Sequence, residues 1–331
     1  MKAMIIEQFG GPEVFKLADV PVPTATHGHV VIRVAATSVN PIDTKIRSGA
    51  VAIVAPPFPA VLHGDVAGTV ESVGPGVEHL KVGDEVYACA GGVKGSAGAL
   101  AELMLADADL VVPRPASLSI AESAALPLVG ITAWEALIDR ARVQPAQRVL
   151  VHGGAGGVGH VGIQIAKIAG AIVYATVSSE EKAEIAKRFG ADVTINYREQ
   201  QVDEYVAEHT GGEGFDVVFD TVGGDNLAAS FAAAGPGGSV VTIAGRSTQD
   251  LAPLHGKNLT LHCEFMLLPL LTGKDRARHG RILIDLARLV DTGRLTPLID
   301  PEPLTFSDVA RAHQKLEAGE AVGKIVLRAE F

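Results

Sequence analysis

The sequence has little cysteine, few aromatic residues and a deficit of positive charge. Its 331 residues include only two cysteines, Cys89 and Cys263, which makes a disulfide framework improbable and excludes a four-thiolate zinc lobe within one chain. The 28 Lys and Arg residues are outnumbered by 38 Asp and Glu residues, for a formal net charge of −10. This charge disfavours nucleic acid and anionic membrane surfaces as partners.

Long apolar runs are also missing. No uninterrupted apolar run reaches the roughly 18 residues of a membrane span, and the apolar segment at residues 265–271 is broken by Pro269. The first seven residues become charged too early for a signal peptide. We therefore expect a cytoplasmic protein with no membrane partner. At about 150 residues per domain, the length indicates two domains.

A glycine cluster between a strand-like and a helix-like segment is the most informative pattern in the chain. Residues 149–151 are β-formers, residues 160–169 have helical apolar spacing, and residues 172–177 are again strand-like. Such a strand–turn–helix brings bare backbone N–H groups and a helix N-terminus to one point, which suits a phosphate. The turn comprises Gly153, Gly154, Ala155, Gly156, Gly157, Val158 and Gly159. It predicts a dinucleotide site, and hence an oxidoreductase; the alternative is a tight turn that binds nothing.

The pattern of the chain changes near residue 118. Before it, short strand-like segments alternate with glycine turns, which is typical of a small β-rich domain. After it, Ser119 and Glu122 have the spacing of a capping box, and strand-like and helical segments alternate. This alternation predicts an α/β domain with a parallel sheet covered on both faces. Its strand-like segments are residues 148–151, 172–177, 193–195, 217–220, 239–243 and 259–262.

The end of the second strand indicates which dinucleotide binds. A carboxylate there would bind a ribose 2′-hydroxyl and repel a 2′-phosphate, but residues 176–179 contain no acid. Ser178 suits a phosphate, and Lys182 lies one helical turn later. We therefore expect NADPH rather than NADH. The alternatives are that Ser178 is a helix N-cap paired with Glu181 and that Lys182 belongs to a solvated helix face.

Other strand ends of the same sheet should face the same crevice. Val222, Ala244 and Gly245 lie at two such ends and should leave room for the nucleotide. Tyr197 follows the third strand and either stacks on the adenine end or donates to the phosphate, or is simply a half-exposed aromatic residue.

With these motifs, the chain resembles the medium-chain dehydrogenase/reductase superfamily, and within it the zinc-independent quinone oxidoreductase branch. The matching motifs are distributed along the chain at residues 40–49, 64–70, 73–74, 82–84, 126–127, 130–134, 190–192 and 323–327, together with the glycine turn.

The resemblance implies an α/β fold in which a doubly wound Rossmann sheet accompanies a β-rich catalytic domain of the chaperonin-10-like (GroES-like) type. Residues 1–120 and 263–331 would form the catalytic domain, and residues 121–262 the inserted NADP-binding domain. It further implies that Asn40, Thr132 and Lys324 lie near the nicotinamide. The backbone of Gly156, Gly157 and Val158 would hold the pyrophosphate.

The resemblance also bears on zinc. Zinc alcohol dehydrogenases of this superfamily carry ligands where this chain has Asn40, Gly64 and Leu128, none of which suits the metal. We therefore expect no metal. His63 lies one residue before a lost ligand position and is interpreted as a loop or crevice residue, the alternative being a relocated zinc ligand.

Without zinc, the expected acceptors are those that take hydride unaided, namely quinones and α,β-unsaturated carbonyls. Lys45 replaces a tyrosine common in this branch, and residues 50–55 are apolar, which makes an aliphatic enone credible. Asn40, Lys45, Asp43 and His63 are the candidate catalytic residues, the last three as proton donors alongside solvent. The alternatives are a zinc-dependent alcohol dehydrogenase with non-standard ligands and a non-catalytic NADPH-binding protein. A homodimer joined through residues 259–262 is also expected.

Overall fold

The computed structural model describes all 331 residues, which form two compact units. The β-rich unit consists of Met1–Leu128, Leu267–Gly293 and Pro297–Phe331, and the parallel-sheet unit of Val129–Met266 and Arg294–Thr296. The two main boundaries therefore lie at 128/129 and 266/267, whereas the sequence predicts them at 120/121 and 262/263. The β-rich unit is therefore built from both ends of the chain.

The β-rich unit contains ten strands in two sheets. One sheet has the order β2-β1-β4; the other has the order β15-β16-β3-β5-β6-β8, with β7 also paired to β3. The strands are β1 (Lys2–Ile6), β2 (Lys16–Asp19), β3 (His29–Ser38), β4 (Ala60–Val61), β5 (Asp65–Val73), β6 (Glu85–Cys89), β7 (Leu103–Asp107), β8 (Val112–Pro113), β15 (Leu304–Thr305) and β16 (Val326–Arg328). β16, from the end of the chain, pairs antiparallel with β3 near its start.

The helices of the β-rich unit are short except for α10. They are α1 (Pro41–Arg47), α2 (Ile120–Ser123), α9 (Leu268–Thr272), α10 (Arg276–Asp291) and α11 (Val309–Glu317). The capping box predicted at the start of α2 is present, because Ser119 Oγ accepts from the Glu122 N–H at 3.2 Å and Glu122 Oε2 accepts from the Ser119 N–H at 2.7 Å. Buried Arg47 at the end of α1 pairs with Glu317 of α11 at 2.6 Å.

The parallel-sheet unit has six strands in the order β11-β10-β9-β12-β13-β14, and every neighbouring pair is parallel. The strands are β9 (Arg148–His152), β10 (Ile172–Val177), β11 (Val193–Asn196), β12 (Phe215–Asp220), β13 (Ala234–Thr242) and β14 (Thr260–Cys263). The order reverses between the first strand, β9, and the fourth, β12, as in the Rossmann fold. The predicted fold class is confirmed.

Helices connect these strands. They are α4 (Gly159–Ile168), α5 (Glu180–Arg188), α6 (Val202–Thr210), α7 (Asn226–Ala233) and α8 (Ala252–Lys257), preceded by α3 (Pro127–Trp134) and a π-helix, Glu135–Arg140. The side chains of Tyr174, Tyr205, Phe215 and Phe231 form one buried core cluster with residues of β9, β11 and β13. The Tyr174 and Phe215 rings meet edge to face at 5.0 Å between centroids.

The largest departure from the predicted strand bounds is at β13. It begins at Ala234 rather than at residue 239, because Ala234 pairs with Phe215 of β12 ahead of a register shift. α6 begins after Gln201, which forms a capping box with Glu204.

One helical stretch, Ile120–Arg140, is long and apolar enough to cross a bilayer by length and composition alone. Buried residues make up 78% of its most apolar window, as is usual for a core helix.

Candidate active site

The glycine turn follows β9 and leads into α4. Gly153 has φ +70°, a conformation that favours glycine. A Cβ added at Gly159 would lie 2.1 Å from the Gly153 carbonyl oxygen, and one at Gly154 would lie 2.7 Å from Ala175 Cβ. The turn is therefore compact enough for its backbone N–H groups to approach a pyrophosphate at the N-terminus of α4.

Thr176 of β10 fixes this turn. The Gly153 N–H donates to Thr176 Oγ1 at 3.2 Å, and the Gly154 N–H donates to the Thr176 carbonyl at 3.0 Å. His152 Nδ1 lies 3.1 Å from the same hydroxyl, and burial lowers the pKa of His152 to about 4. A neutral, buried imidazole therefore supports the turn. Sequence reasoning missed both side chains, although His152 directly follows the first predicted strand and Thr176 lies in the second.

The end of β10 brings together three residues predicted to select the dinucleotide. Ser179, not Ser178, is the N-cap of α5, because its Oγ accepts from the Lys182 N–H at 3.4 Å. The alternative N-cap role for Ser178 was therefore wrong. The Tyr197 N–H donates to the Val177 carbonyl at 3.2 Å, which places Tyr197, 52% exposed, beside Ser178. Glu180 Oε1 lies 3.8 Å from Lys187 Nζ.

The other residues predicted to face the nucleotide follow two neighbouring strands: Val222 follows β12, and Ala244 and Gly245 follow β13. Asp220 Oδ1, at the end of β12, accepts from the Val222 and Gly223 N–H groups, each at 2.9 Å. A Cβ at Gly223 would lie 2.3 Å from the Ala244 carbonyl oxygen, so the segments after β12 and β13 are in close contact. Gly245 follows Ala244 and is exposed.

In the β-rich unit, the buried carboxylate of Asp65 collects donors from three chain segments. Oδ2 accepts from Ser38 Oγ at 2.7 Å and from Asn40 Nδ2 at 2.8 Å, and Oδ1 accepts from the Leu128 N–H at 2.8 Å. Lys324 Nζ lies 3.6 Å from Oδ2. Sequence reasoning gave Asp65 no role, because nothing local distinguishes it from an acid at a turn.

Lys324 completes this cluster with its ammonium group. The Lys324 side chain is only 3% exposed. It donates to the Val39 carbonyl at 3.0 Å and to Asn40 Oδ1. Burial lowers the pKa of Lys324, against the attraction of Asp65 and Asp43, which raises it. Asn40 and Lys324 are therefore brought together, while Thr132 is a buried residue of α3 in the parallel-sheet unit.

The three candidate proton donors have different environments. Asp43 is buried and its Oδ2 accepts from the Asn40 N–H at 2.7 Å; burial raises its pKa to about 7, against the lowering effect of that hydrogen bond. His63 is fully buried, with Nε2 at 2.9 Å from His313 Nε2. Lys45 is exposed on α1.

The His63–His313 pair requires at least one neutral ring, because one Nε2 must accept from the other. Burial lowers the pKa of His63 well below its ordinary value, and burial lowers that of His313 to about 3. Both rings are therefore neutral near pH 7. His63 also has φ +71°, a conformation that non-glycine residues seldom adopt.

The residues at the three positions where the resemblance places zinc ligands do not fit the metal. The Asn40 amide is held by Lys324 and Asp65, and Leu128 has an aliphatic side chain. A Cβ at Gly64 would lie 3.0 Å from the Gly91 carbonyl oxygen and 3.2 Å from Cys89 Sγ, so a histidine there would require a shift of the backbone. This donor set cannot form the tetrahedral nitrogen and sulfur site that zinc prefers.

Comparison with known proteins identifies the family of the chain. Residues 26–116 match the alcohol dehydrogenase GroES-like domain, and residues 157–275 match the zinc-binding dehydrogenase family. The chain is 36% identical to 2-methylene-furan-3-one reductase of Solanum lycopersicum, covering 99% of this chain and 79% of the relative. The chain therefore belongs to the medium-chain dehydrogenase/reductase superfamily, in its quinone oxidoreductase branch, as predicted.

Solved structures give the same result. An alcohol dehydrogenase superfamily protein from Novosphingobium aromaticivorans is 41% identical, with a TM-score of 0.95 over 100% of both chains. The quinone oxidoreductase of Escherichia coli, solved in complex with NADPH, is 30% identical, with a TM-score of 0.88 over 99% of this chain and 100% of that one.

Gly159→Ala should abolish dinucleotide binding, because the new Cβ meets backbone at 2.1 Å and the turn must open. Isothermal titration with NADPH measures this. Gly256→Ala is the control, because a Cβ at that helical position meets no atom within 4 Å. Unchanged affinity in Gly159→Ala would contradict the compact cradle.

The His63–His313 pair should make the protein acid-sensitive. Both pKa values are depressed in the folded state, so the unfolded chain binds these protons first, and stability is lost as pH falls from about 6.5 toward 3. His313→Gln should reduce the slope of unfolding free energy against pH by up to about 1.4 kcal/mol per pH unit. Urea titrations from pH 4 to 7 measure it.

The exposed residue His255 supplies the control, since His255→Gln should leave that slope unchanged. The raised pKa of Asp43 acts in the opposite direction, its contribution being lost as pH rises through about 7, and cancels when variant and wild type are compared. Equal slopes for His313→Gln and wild type would show that the pair does not titrate as described.

Proposed function

We propose that the chain is an NADPH-dependent reductase of quinones and α,β-unsaturated carbonyls that works without a metal. The observation that carries the proposal is the compact glycine turn beside a second strand, β10, which is followed by Ser178 and Ser179 with no acid before the helix. The family and the NADPH complex of the Escherichia coli relative support it. The tomato relative is by name an enone reductase, which supports the substrate class.

NADPH would supply a hydride when bound. We infer that the N–H groups of Gly157 and Val158 bind its pyrophosphate. The Gly156 N–H, expected to do the same, instead donates to the Gly153 carbonyl at 2.9 Å, so Gly156 shapes the turn together with Gly154 and Ala155. Ser178, Lys182 and Tyr197 would bind the 2′-phosphate, since Ser178 has no capping role and lies beside Tyr197. Val222, Ala244 and Gly245 would line the path of the nucleotide along the strand ends.

Asn40, Thr132 and Lys324 remain the residues that the resemblance assigns to the nicotinamide end, and buried Lys324 would act there through Asn40. Asp43 and His63 are buried and hydrogen-bonded within the β-rich unit, so we assign the proton to solvent or to exposed Lys45. A reduced quinone or an enolate is basic enough to take a proton from water.

The acceptor class follows from the donor set at the former ligand positions. Asn40, Gly64 and Leu128 supply no metal ligands, so an acceptor must take hydride without a Lewis acid, as quinones and enones do. Residues 50–55, which follow α1, are all aliphatic, which favours an aliphatic enone over a flat aromatic acceptor.

We propose further that the protein is a cytoplasmic homodimer. β14 (Thr260–Cys263) is an edge strand of the six-stranded sheet and has an unpaired side. Pairing with the same strand of a second copy would cover it, and exposed Phe265 and Leu268 follow directly.

A panel of small quinones, enones and alcohols, each tested with NADPH and with NADH, checks the reaction. We expect consumption of NADPH with quinones and enones and no effect of a chelator. Ethanol oxidation that a chelator abolishes would instead support the zinc-dependent alternative. Tight NADPH binding with no acceptor reduced would support a non-catalytic binding protein.

Lys182→Ala tests the cofactor preference. Loss of one cation near the 2′-phosphate should raise the KM for NADPH by about ten-fold or more while changing the KM for NADH little, because only NADPH carries that charge. Lys187→Ala on the same helix is the matched control, since Lys187 pairs with Glu184 at 2.8 Å. Equal effects on both cofactors would contradict the assignment and favour the solvated helix face.

A further inference from the structure

The buried cluster around Asp65 joins Asn40 and Leu128, two of the three positions at which the resemblance places zinc ligands in other members of the superfamily, and adjoins the third, Gly64. Asn40 Nδ2 and the Leu128 N–H each donate to the Asp65 carboxylate at 2.8 Å, and the third position, Gly64, is the preceding residue. The Asp65 carboxylate therefore holds these segments together through hydrogen bonds to an amide and to a backbone N–H.

Lys324 supplies the positive charge of this cluster. Its ammonium has three acceptors: the Val39 carbonyl, Asn40 Oδ1 and Asp65 Oδ2, the last at 3.6 Å. Because an ammonium only donates and a carboxylate only accepts, the Asn40 amide is fixed in one orientation between them. The side chain of Lys324 is 3% exposed and that of Asp65 is 0% exposed, so water does not compete for these bonds.

We propose that Asp65 and Lys324 are positioning residues, which together hold the Asn40 and Leu128 segments in the geometry that hydride transfer requires. Neither side chain is assigned contact with the reacting atoms; each acts through Asn40 and the backbone at residues 39 and 128. This inference rests on the proposed function, because it assigns these segments to the site of reduction.

The alternative, a purely structural ion pair, predicts different behaviour. A structural pair contributes to folding and leaves the turnover of the folded enzyme unchanged. A positioning pair affects kcat, because a displacement of about 1 Å at the reacting centre can cost roughly 100-fold in rate. The nearby pair Lys315–Asp300, at 2.6 Å with Asp300 2% exposed, provides a matched control in the same unit.

Lys324→Met, Asp65→Asn and the control Lys315→Met would be compared with wild type as full-length proteins. The assay uses NADPH and the best acceptor of the panel, at a temperature where near-UV circular dichroism shows all to be folded. We expect kcat to fall roughly 100-fold in the first two, with the KM for NADPH within about three-fold of wild type. The deuterium isotope effect on kcat, measured with NADPH deuterated at C4, should rise as hydride transfer becomes limiting.

Lys315→Met should lower the melting temperature while leaving kcat and the isotope effect as in wild type. If Lys324→Met does not fold, Lys324→Arg retains the charge with a different geometry and should fold with reduced kcat and a raised isotope effect. Wild-type kcat and isotope effect in a folded Lys324 variant would overturn the inference while leaving the proposed function intact. A wild-type enzyme that reduces no quinone or enone would overturn both.

Discussion

A buried carboxylate must be satisfied by donors, and the β-rich unit is organised around that requirement at Asp65. Four groups from three segments of the chain, on Ser38, Asn40, Leu128 and Lys324, meet its two oxygens. An ion left unpaired at this depth would cost several kcal/mol, so each donor is tied to its place. One of these donors, Asn40, is also the N-cap of α1.

The parallel-sheet unit solves a different problem with bare backbone. A phosphate site at a helix N-terminus needs backbone N–H groups that no side chain covers. The turn is also so tightly packed at Gly154 and Gly159 that a Cβ at either position would clash with neighbouring atoms. Thr176 then fixes the turn by accepting from the Gly153 N–H, and neutral His152 contacts the same Thr176 hydroxyl. The β-rich unit thus fixes side chains through charge, whereas the parallel-sheet unit uses glycine to leave the main chain exposed.

Local patterns in the sequence predicted local structure well. The β-formers of β10 (Ile172–Val177) gave both bounds of that strand, because they are flanked by a helix end and a cap. Which residue caps α5 could not be predicted, because residues 178 and 179 are both serines and either hydroxyl can accept from a helical N–H. Asp65 and the His63–His313 contact were not predictable, because their partners come from remote segments, 250 residues away for the histidines.

Lys324 and Asn40 are 284 residues apart in the chain. Translation proceeds from the N-terminus, so the Rossmann sheet, whose strands lie within residues 148–263, is synthesised before the lysine that neutralises Asp65. Until those last residues leave the ribosome, the first segment of the β-rich unit also lacks β16, the partner of β3. Truncation near the C-terminus therefore removes a strand and the only ammonium of the buried cluster at once.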